Sequence, residues 1–215
     1  MMSSDTHRKG QIALPLPPAQ AGIDPRIIVG NANEAAIEAL AYTDEWPYGT
    51  AILFGPPRSG KSLLARWFEG QGGGDVVDDA DRMDETELFH RWNRARESGT
   101  PLLLTATTRE EGQDWDVALP DLRSRLRPAL RLDIGEPDDA MMAELMAVHA
   151  EARALALGDD AFAYLATRAE RSHLMAERIV AAIDRISLER KCAPGPAVWR
   201  EALAQVQGGN ATGQE

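Results

Sequence analysis

Gly55-Pro56-Pro57-Arg58-Ser59-Gly60-Lys61-Ser62 decides how this chain is read. The eight residues fit G-x-x-x-x-G-K-[ST], a phosphate-binding loop, and the flanks agree with the motif. Thr50-Ala51-Ile52-Leu53-Phe54 ahead of it is a short apolar run with the length of a buried strand. Ser62-Leu63-Leu64-Ala65-Arg66-Trp67-Phe68 behind it reads as a helix. Phosphate chemistry needs this order. Glycines let the backbone turn tightly, so that its N–H groups converge on phosphate oxygens. The helix N-terminus adds the positive end of a dipole. In this reading Gly55, Pro56, Pro57, Arg58, Ser59, Gly60, Lys61, Ser62 and Leu63 surround a nucleotide, ADP or ATP. Lys61 lies on the β- and γ-phosphates, and the Ser62 hydroxyl is a ligand for Mg²⁺.

Working downstream, Gly70–Gly74 closes the first helix, and Asp75-Val76-Val77-Asp78-Asp79-Ala80-Asp81 follows. An apolar pair running into two acids reads as the second acidic strand of such a site. Asp78 would hold Mg²⁺, directly or through water, and Asp79 would orient the attacking water. An exposed acidic turn is the plain alternative. Only 12 residues separate Ser62 from Asp75, where sheets of this kind often fit a further strand and helix, so the sheet is expected to be one edge strand short. Glu85–Ser98 has Leu88, Phe89, Trp92 and Ala95 on one helical face. Residues 101–108 form the next buried strand, ending in hydroxyls. Thr107 or Thr105 would approach the γ-phosphate, although threonine is also an ordinary strand residue. Leu119–Arg127 is the most basic stretch, with Arg123, Arg125, Arg127 and Arg131 close together. It reads either as a solvated charged turn or as a phosphate contact. Residues 129–134 alternate apolar and charged, as a half-buried strand does.

Gly135-Glu136-Pro137 marks a boundary, and four helices are expected beyond it. Asp138 or Asp139 caps the first, with Met141, Leu145, Val148, Ala152 and Leu155 as its apolar stripe. The second covers Asp160–Ala169. Ser172 caps the third, whose face is Met175, Ile179, Ile183 and Ile186. Val198, Trp199, Ala202, Leu203 and Val206 belong to the fourth. The expected domains are a tail over 1–24, a core over 25–135, a helical lid over 136–207 and a second tail over 208–215. Upstream of the loop, Asn31 or Asn33 can cap a helix over Glu34–Tyr42, and the Ile27-Ile28-Val29-Gly30 segment could lie over a nucleotide base. The N-terminal Gln11-Ile12-Ala13-Leu14-Pro15-Leu16 carries three large apolar side chains in a proline-rich, extended setting. It either packs back on the body or docks in a partner's groove.

Composition narrows the classes. The chain has 215 residues, 44% of them hydrophobic, enough for one α/β domain and a smaller companion. A net charge of −11 argues against a broad nucleic-acid face, because phosphate backbones are bound by clustered Lys and Arg. The single Cys192 excludes an internal disulfide and suits a reducing, cytoplasmic setting. No apolar run has membrane-spanning length, so no membrane role is expected. No apolar stretch follows His7-Arg8-Lys9, and no signal peptide is expected.

Together, a phosphate loop, a four-helix lid and Asp121-Leu122-Arg123-Ser124-Arg125-Leu126 between them resemble the AAA+ ATPases of the DnaA type. Ile28-Val29-Gly30-Asn31-Ala32-Asn33 resembles their nucleotide-contacting N-terminal segment, and Gln11–Leu16 resembles the short motif that docks on the bacterial β sliding clamp. The pair of features resembles the regulatory inactivators of DnaA. That resemblance implies an AAA+ P-loop NTPase fold with a parallel sheet and a lid. It also implies a protein that sits on the DNA-loaded clamp, touches DNA only through it, and makes DnaA hydrolyse its ATP. Carried over by position, Gln11, Ile12, Leu14 and Leu16 bind the clamp, and Val29 contacts nucleotide. Thr107 takes the sensor-1 position, and Arg125 is an arginine finger acting in trans beside the catalytic Asp79. The family's sensor-2 arginine would fall at Leu174 or Met175, with Arg178 one turn later as its substitute. The short spacing after Ser62 also departs from the DnaA core. DnaA continues into a helix-turn-helix DNA-binding domain that is not expected here. The competing functions are a self-sufficient ATPase, such as a helicase loader or a small-molecule kinase, and a clamp adaptor in which nucleotide only supports the fold.

Overall fold

The computed structural model describes residues 26–108 and 115–210, the last two by backbone only; the peptide at 11–16 lies outside them. A parallel sheet forms the centre. β1 (Thr50–Gly55) is buried along its whole length, because it is flanked on one side by β3 (Leu102–Thr107) and on the other by β4 (Leu130–Asp133). β2 (Asp75–Val77) pairs with the far edge of β3, so the order is β2-β3-β1-β4. Parallel neighbours need crossover connections, and helices provide them: α2 (Lys61–Gly70), α3 (Glu85–Ser98) and α4 (Pro120–Leu126). Alternation along β1 sends Ala51 and Leu53 into one layer, with Leu64, Ala65 and Phe68 of α2 and with Ala36 and Leu40 of α1 (Glu34–Leu40). Ile52 and Phe54 go into the other layer, with Leu88 and Trp92 of α3 and Leu122 and Leu126 of α4. Trp46 stacks on Phe68, with ring centroids 5.3 Å apart, and closes the first layer.

Among the described residues no strand lies between α2 and β2, and the glycine run explains how the chain makes that short passage. Asp75 N donates to Pro101 O at 2.8 Å. A Cβ on Gly74, which has φ +153°, would lie 2.2 Å from that same Pro101 oxygen. Only a residue without a side chain lets the backbone approach β3 so closely.

The lid consists of α5 (Asp139–Ala152), α6 (Asp159–Ala166), α7 (His173–Arg190) and α8 (Pro196–Asn210). Asp138 caps α5 by accepting from Met141 N at 2.8 Å, and Ser172 caps α7 by accepting from Met175 N at 3.1 Å. Met175, Ile179, Ile183 and Ile186 are all buried, as the periodicity predicts. On α5 the expected stripe is out of phase. The buried positions are Met141, Met142, Met146 and Ala150, while Leu145 and Val148 are half-buried and Ala152 is exposed. The helix serves two cores: Met141 packs with the sheet layer, and Met142, Met146 and Ala150 pack with the lid.

Two local expectations are also corrected. The basic stretch is not a turn but a helix, α4, entered through Pro120 in its first turn. Asn33 precedes α1 yet makes no side-chain cap. Its Oδ1 accepts from Gly30 N at 2.9 Å and its Nδ2 donates to Ile28 O at 2.8 Å. Asn31 ties the same segment to the core–lid junction, donating to Glu136 O at 3.0 Å and accepting from Asp138 N at 2.9 Å. Among the described residues no helix is long and apolar enough to cross a membrane.

Candidate functional site

The site lies where β1 and β3 end together. Gly55, the last residue of β1, is in register with Thr107, the last of β3, and Thr108 N donates to Gly55 O at 3.0 Å. The loop over Gly55–Gly60 is tight. A Cβ on Gly55 would meet Ser59 Oγ at 2.6 Å, and Gly60 has φ +89°. Gly60 precedes α2 with no side-chain cap, so first-turn N–H groups of α2 are left for a ligand. Ser59 Oγ is buried without a partner. Lys61 is buried as well, and its Nζ donates to Gly55 O at 2.8 Å and to Pro56 O at 3.0 Å. Burial lowers the Lys61 pKa from its ordinary value, while the charges of Asp79, Asp81 and Asp78 push it back up.

The acids come from the turn after β2. Asp79 N donates to Thr105 Oγ1 at 2.8 Å, and Thr105 Oγ1 donates to Asp78 Oδ1 at 2.6 Å. Asp79 itself is held at φ +49°. The Thr105 hydroxyl thus fastens the acidic turn to β3, and its hydrogen bonds go to that turn. Thr107 stands further along the strand, beside Gly55, and is half-buried. Asp81 adds a third carboxylate near Lys61, a contribution the sequence reading did not single out.

The lid covers this cleft through α7. Arg58 of the loop pairs with Glu177 at 3.3 Å. His149 on α5 feels Glu177, Arg153 and Arg58, though burial is the main cause of its lowered pKa. His173, the first residue of α7, is 4% exposed and neither ring nitrogen has a partner. Burial, with the nearby Lys61 cation as the smaller cause, pushes its pKa down to about 4. Sequence reasoning missed this residue; the one available signal was a titratable side chain directly after the cap of the third lid helix. Met175 is part of the lid core, and Leu174 is half-buried. Arg178 lies on the exposed side of α7. Val29 is half-buried against the first sheet layer.

The arginine-rich helix lies on the other face of the sheet. Arg123 donates to Val117 O at 2.7 Å and reaches Asp116 at 3.2 Å. Arg131 pairs with Asp133 at 2.9 Å and lies 4.4 Å from the Phe54 ring centroid. Among the described residues Arg125 pairs with no carboxylate; its guanidinium lies 4.8 Å from the Phe89 centroid and 4.7 Å from the Trp92 ring. The helix thus sets this cation on two aromatic faces, where the ring quadrupoles attract it.

This arrangement fits a nucleoside di- or triphosphate. The tight loop, the uncapped helix start, an unpartnered hydroxyl and a buried cation are phosphate-binding features. Ser62 and Asp78 would hold Mg²⁺. Among the described residues no cluster of three His, Cys, Asp or Glu side chains could hold a metal alone.

No protein-family model and no curated protein sequence matches the chain. Solved structures do. Domain III of the replication initiation protein DnaA from Thermotoga maritima is similar with a TM-score of 0.66 at 15% identity, over 83% of this chain and 94% of that one. AMPPCP-bound DnaA from Aquifex aeolicus is similar with a TM-score of 0.54 at 17% identity, over 77% of this chain. A RuvB variant from Thermotoga maritima gives a TM-score of 0.54 at 16% identity, over 81% of this chain and 68% of that one. The fold is therefore that of an AAA+ module of the DnaA domain III type, with a helical lid. The chain spans 66% of the Aquifex aeolicus DnaA.

His173 makes stability depend on pH. The unfolded chain takes up this proton near pH 6.5 and the folded chain near pH 4. Between those values the unfolded state binds more protons, so stability is complete above about pH 6.5 and falls as the pH drops towards 4. The loss is on the order of 3 kcal/mol at most. Melting curves of wild type and His173→Leu from pH 7.5 to 4 should show a shallower decline in the variant; parallel curves would mean that this imidazole is not buried neutral.

Proposed function

We propose that the chain binds ADP or ATP with Mg²⁺ in this cleft and serves as a cytoplasmic regulator of replication initiation, an Hda-like regulatory inactivator of DnaA. In this reading Gln11, Ile12, Leu14 and Leu16 dock on the DNA-loaded β sliding clamp. The nucleotide-bound AAA+ module then stimulates hydrolysis of DnaA-bound ATP, with Arg125 entering the partner's site in trans. The chain needs little or no turnover of its own. The likeness to DnaA domain III supports the class of partner, because related modules associate through matching faces, and the AMPPCP carried by a similar DnaA supports the ligand.

The observation that carries the trans role is the state of Arg125. Its neighbour Arg123 is tied to Val117 and Asp116, and Arg131 is tied to Asp133. Arg125 keeps an unneutralised charge on two ring faces. A planar guanidinium held without a carboxylate can be transferred to phosphate oxygens without first breaking an ion pair. Within the chain's own cleft, Lys61 supplies positive charge to phosphate, Asp79 is available to orient water, and Asp78 is fixed by Thr105. A finger supplied in trans can contribute ~10³–10⁵ in rate.

Arg125→Ala should retain its fold, nucleotide and clamp binding, and lose stimulation of DnaA-bound ATP hydrolysis, whereas Arg123→Ala and Arg127→Ala should retain most of it. Full stimulation by the Arg125 variant would exclude the trans finger. Replacing Leu14 and Leu16 together by Ala should abolish capture by immobilised clamp while leaving the melting temperature unchanged, since each leucine contributes roughly 1.5–3 kcal/mol of apolar burial. Capture that survives the double change would remove the clamp from the account.

A further inference from the structure

Nothing described so far uses the His173 imidazole. It is buried at the seam between lid and core, and among the described residues both ring nitrogens are without a partner. Buried polar groups are nearly always paired, so each exception calls for a reason. A second exception lies on the other side of the same cleft: Ser59 Oγ in the phosphate loop is equally buried and equally unpaired. Between them acts the Lys61 cation, close enough to affect the imidazole. Two helix starts also meet here, that of α2 behind Gly60 and that of the 18-residue α7 behind Ser172. Both place the positive end of a dipole at the seam.

We propose that His173 is a nucleotide-binding residue of the lid, donating a ring N–H to a phosphate oxygen of the di- or triphosphate held by the loop. The proposal rests on the nucleotide reading of the loop and adds to it the lid's direct bond to the ligand. An anion is the matching partner for three reasons. On the loop and α7 side the positive charges of Lys61 and Arg58 and the two helix starts face a single acid, Glu177, among the described residues. The acids Asp78, Asp79 and Asp81 sit on the sheet side near Lys61, and Glu177 is paired with Arg58. A neutral imidazole retains one N–H to donate and one nitrogen to accept; Ser59 can use its hydroxyl in the same way. When phosphate enters, both orphaned groups gain partners, and the lid is held on the core because α7 carries one of them. His173 thereby makes lid position respond to ligand, a coupling that the Arg58–Glu177 pair, its arginine exposed, is too weakly placed to provide alone.

The test is calorimetric titration of wild type, His173→Phe and His173→Gln with ADP and, separately, with pyrophosphate, together with nucleotide-free melting temperatures. Phe fills the volume but cannot donate, so affinity for both ligands should fall about tenfold or more, as for loss of a hydrogen bond to a charged group. The nucleotide-free melting temperature should hold or rise, because an unpaired polar group has left a buried position. Gln retains a donor and should stay within about threefold of wild type. Unchanged affinity in the Phe variant overturns the proposal, as does an affinity loss that accompanies a lower melting temperature and is not rescued by Gln. Wild type that gives no heat with either ligand overturns the underlying nucleotide reading instead, and the two failures are distinct. Should the Phe variant fail to fold, the imidazole ¹⁵N signals of wild-type His173 decide: movement on ADP addition supports the bond, and unmoved signals overturn it.

Discussion

A buried ammonium sets the terms for this structure. Lys61 is withdrawn from water and donates to the carbonyls of Gly55 and Pro56. A desolvated cation is costly unless surrounding groups compensate it. The loop supplies oxygens, and the turn after β2 supplies the charges of Asp79, Asp81 and Asp78. Thr105 fastens that turn by accepting from Asp79 N and donating to Asp78. The sheet order places β3 between β1 and β2 and so brings these parts together. The fold and the chemistry of the cleft therefore share one constraint: β1 and β3 must end together, with the turn after β2 fastened to β3 at Thr105, for the cation to be tolerated.

Much of this was legible in the sequence because it is local. The phosphate loop is contiguous, and its flanking strand and helix follow from the apolar run before it and the helical pattern after it. The pair Asp78 and Asp79 stands at the end of a recognisable strand. The sheet one strand short follows from the 12 residues between Ser62 and Asp75, and Gly74 lets the short passage run close against β3. Where reading failed, the cause lies in packing between distant segments. The phase of α5 was misjudged because Met141 faces the sheet layer while Met142 and Met146 face the lid, so no single stripe exists to be found. α4 was hidden by its charges, although Leu122 and Leu126 are spaced for one helical face and Pro120 suits a first turn. His173 is one of four histidines in the chain, and only docking of the lid on the core makes it a buried, unpaired group.

The arginines of the α4 region show the same division. As sequence they are one basic cluster in an acidic chain. In the fold they separate into Arg123 on a backbone carbonyl and an aspartate, Arg131 beside Asp133, and Arg125 on two aromatic faces. Exposed ion pairs of this kind contribute little to stability. They tie down Arg123 and Arg131; Arg127, like Arg125, has no carboxylate partner among the described residues, and Arg125 is the one set on aromatic faces, the feature on which the functional proposal depends.

The central claim is that one ligand engages the loop and the lid together. Hydrogen–deuterium exchange of the purified protein with and without ADP and Mg²⁺ tests it most directly. The account predicts that amides of the loop at 55–62 and of the first turn of α7 at 173–177 become protected at the same nucleotide concentration, and that Lys61→Ala abolishes both changes. Protection confined to one of these segments, or absent from both at saturating ADP, would contradict it.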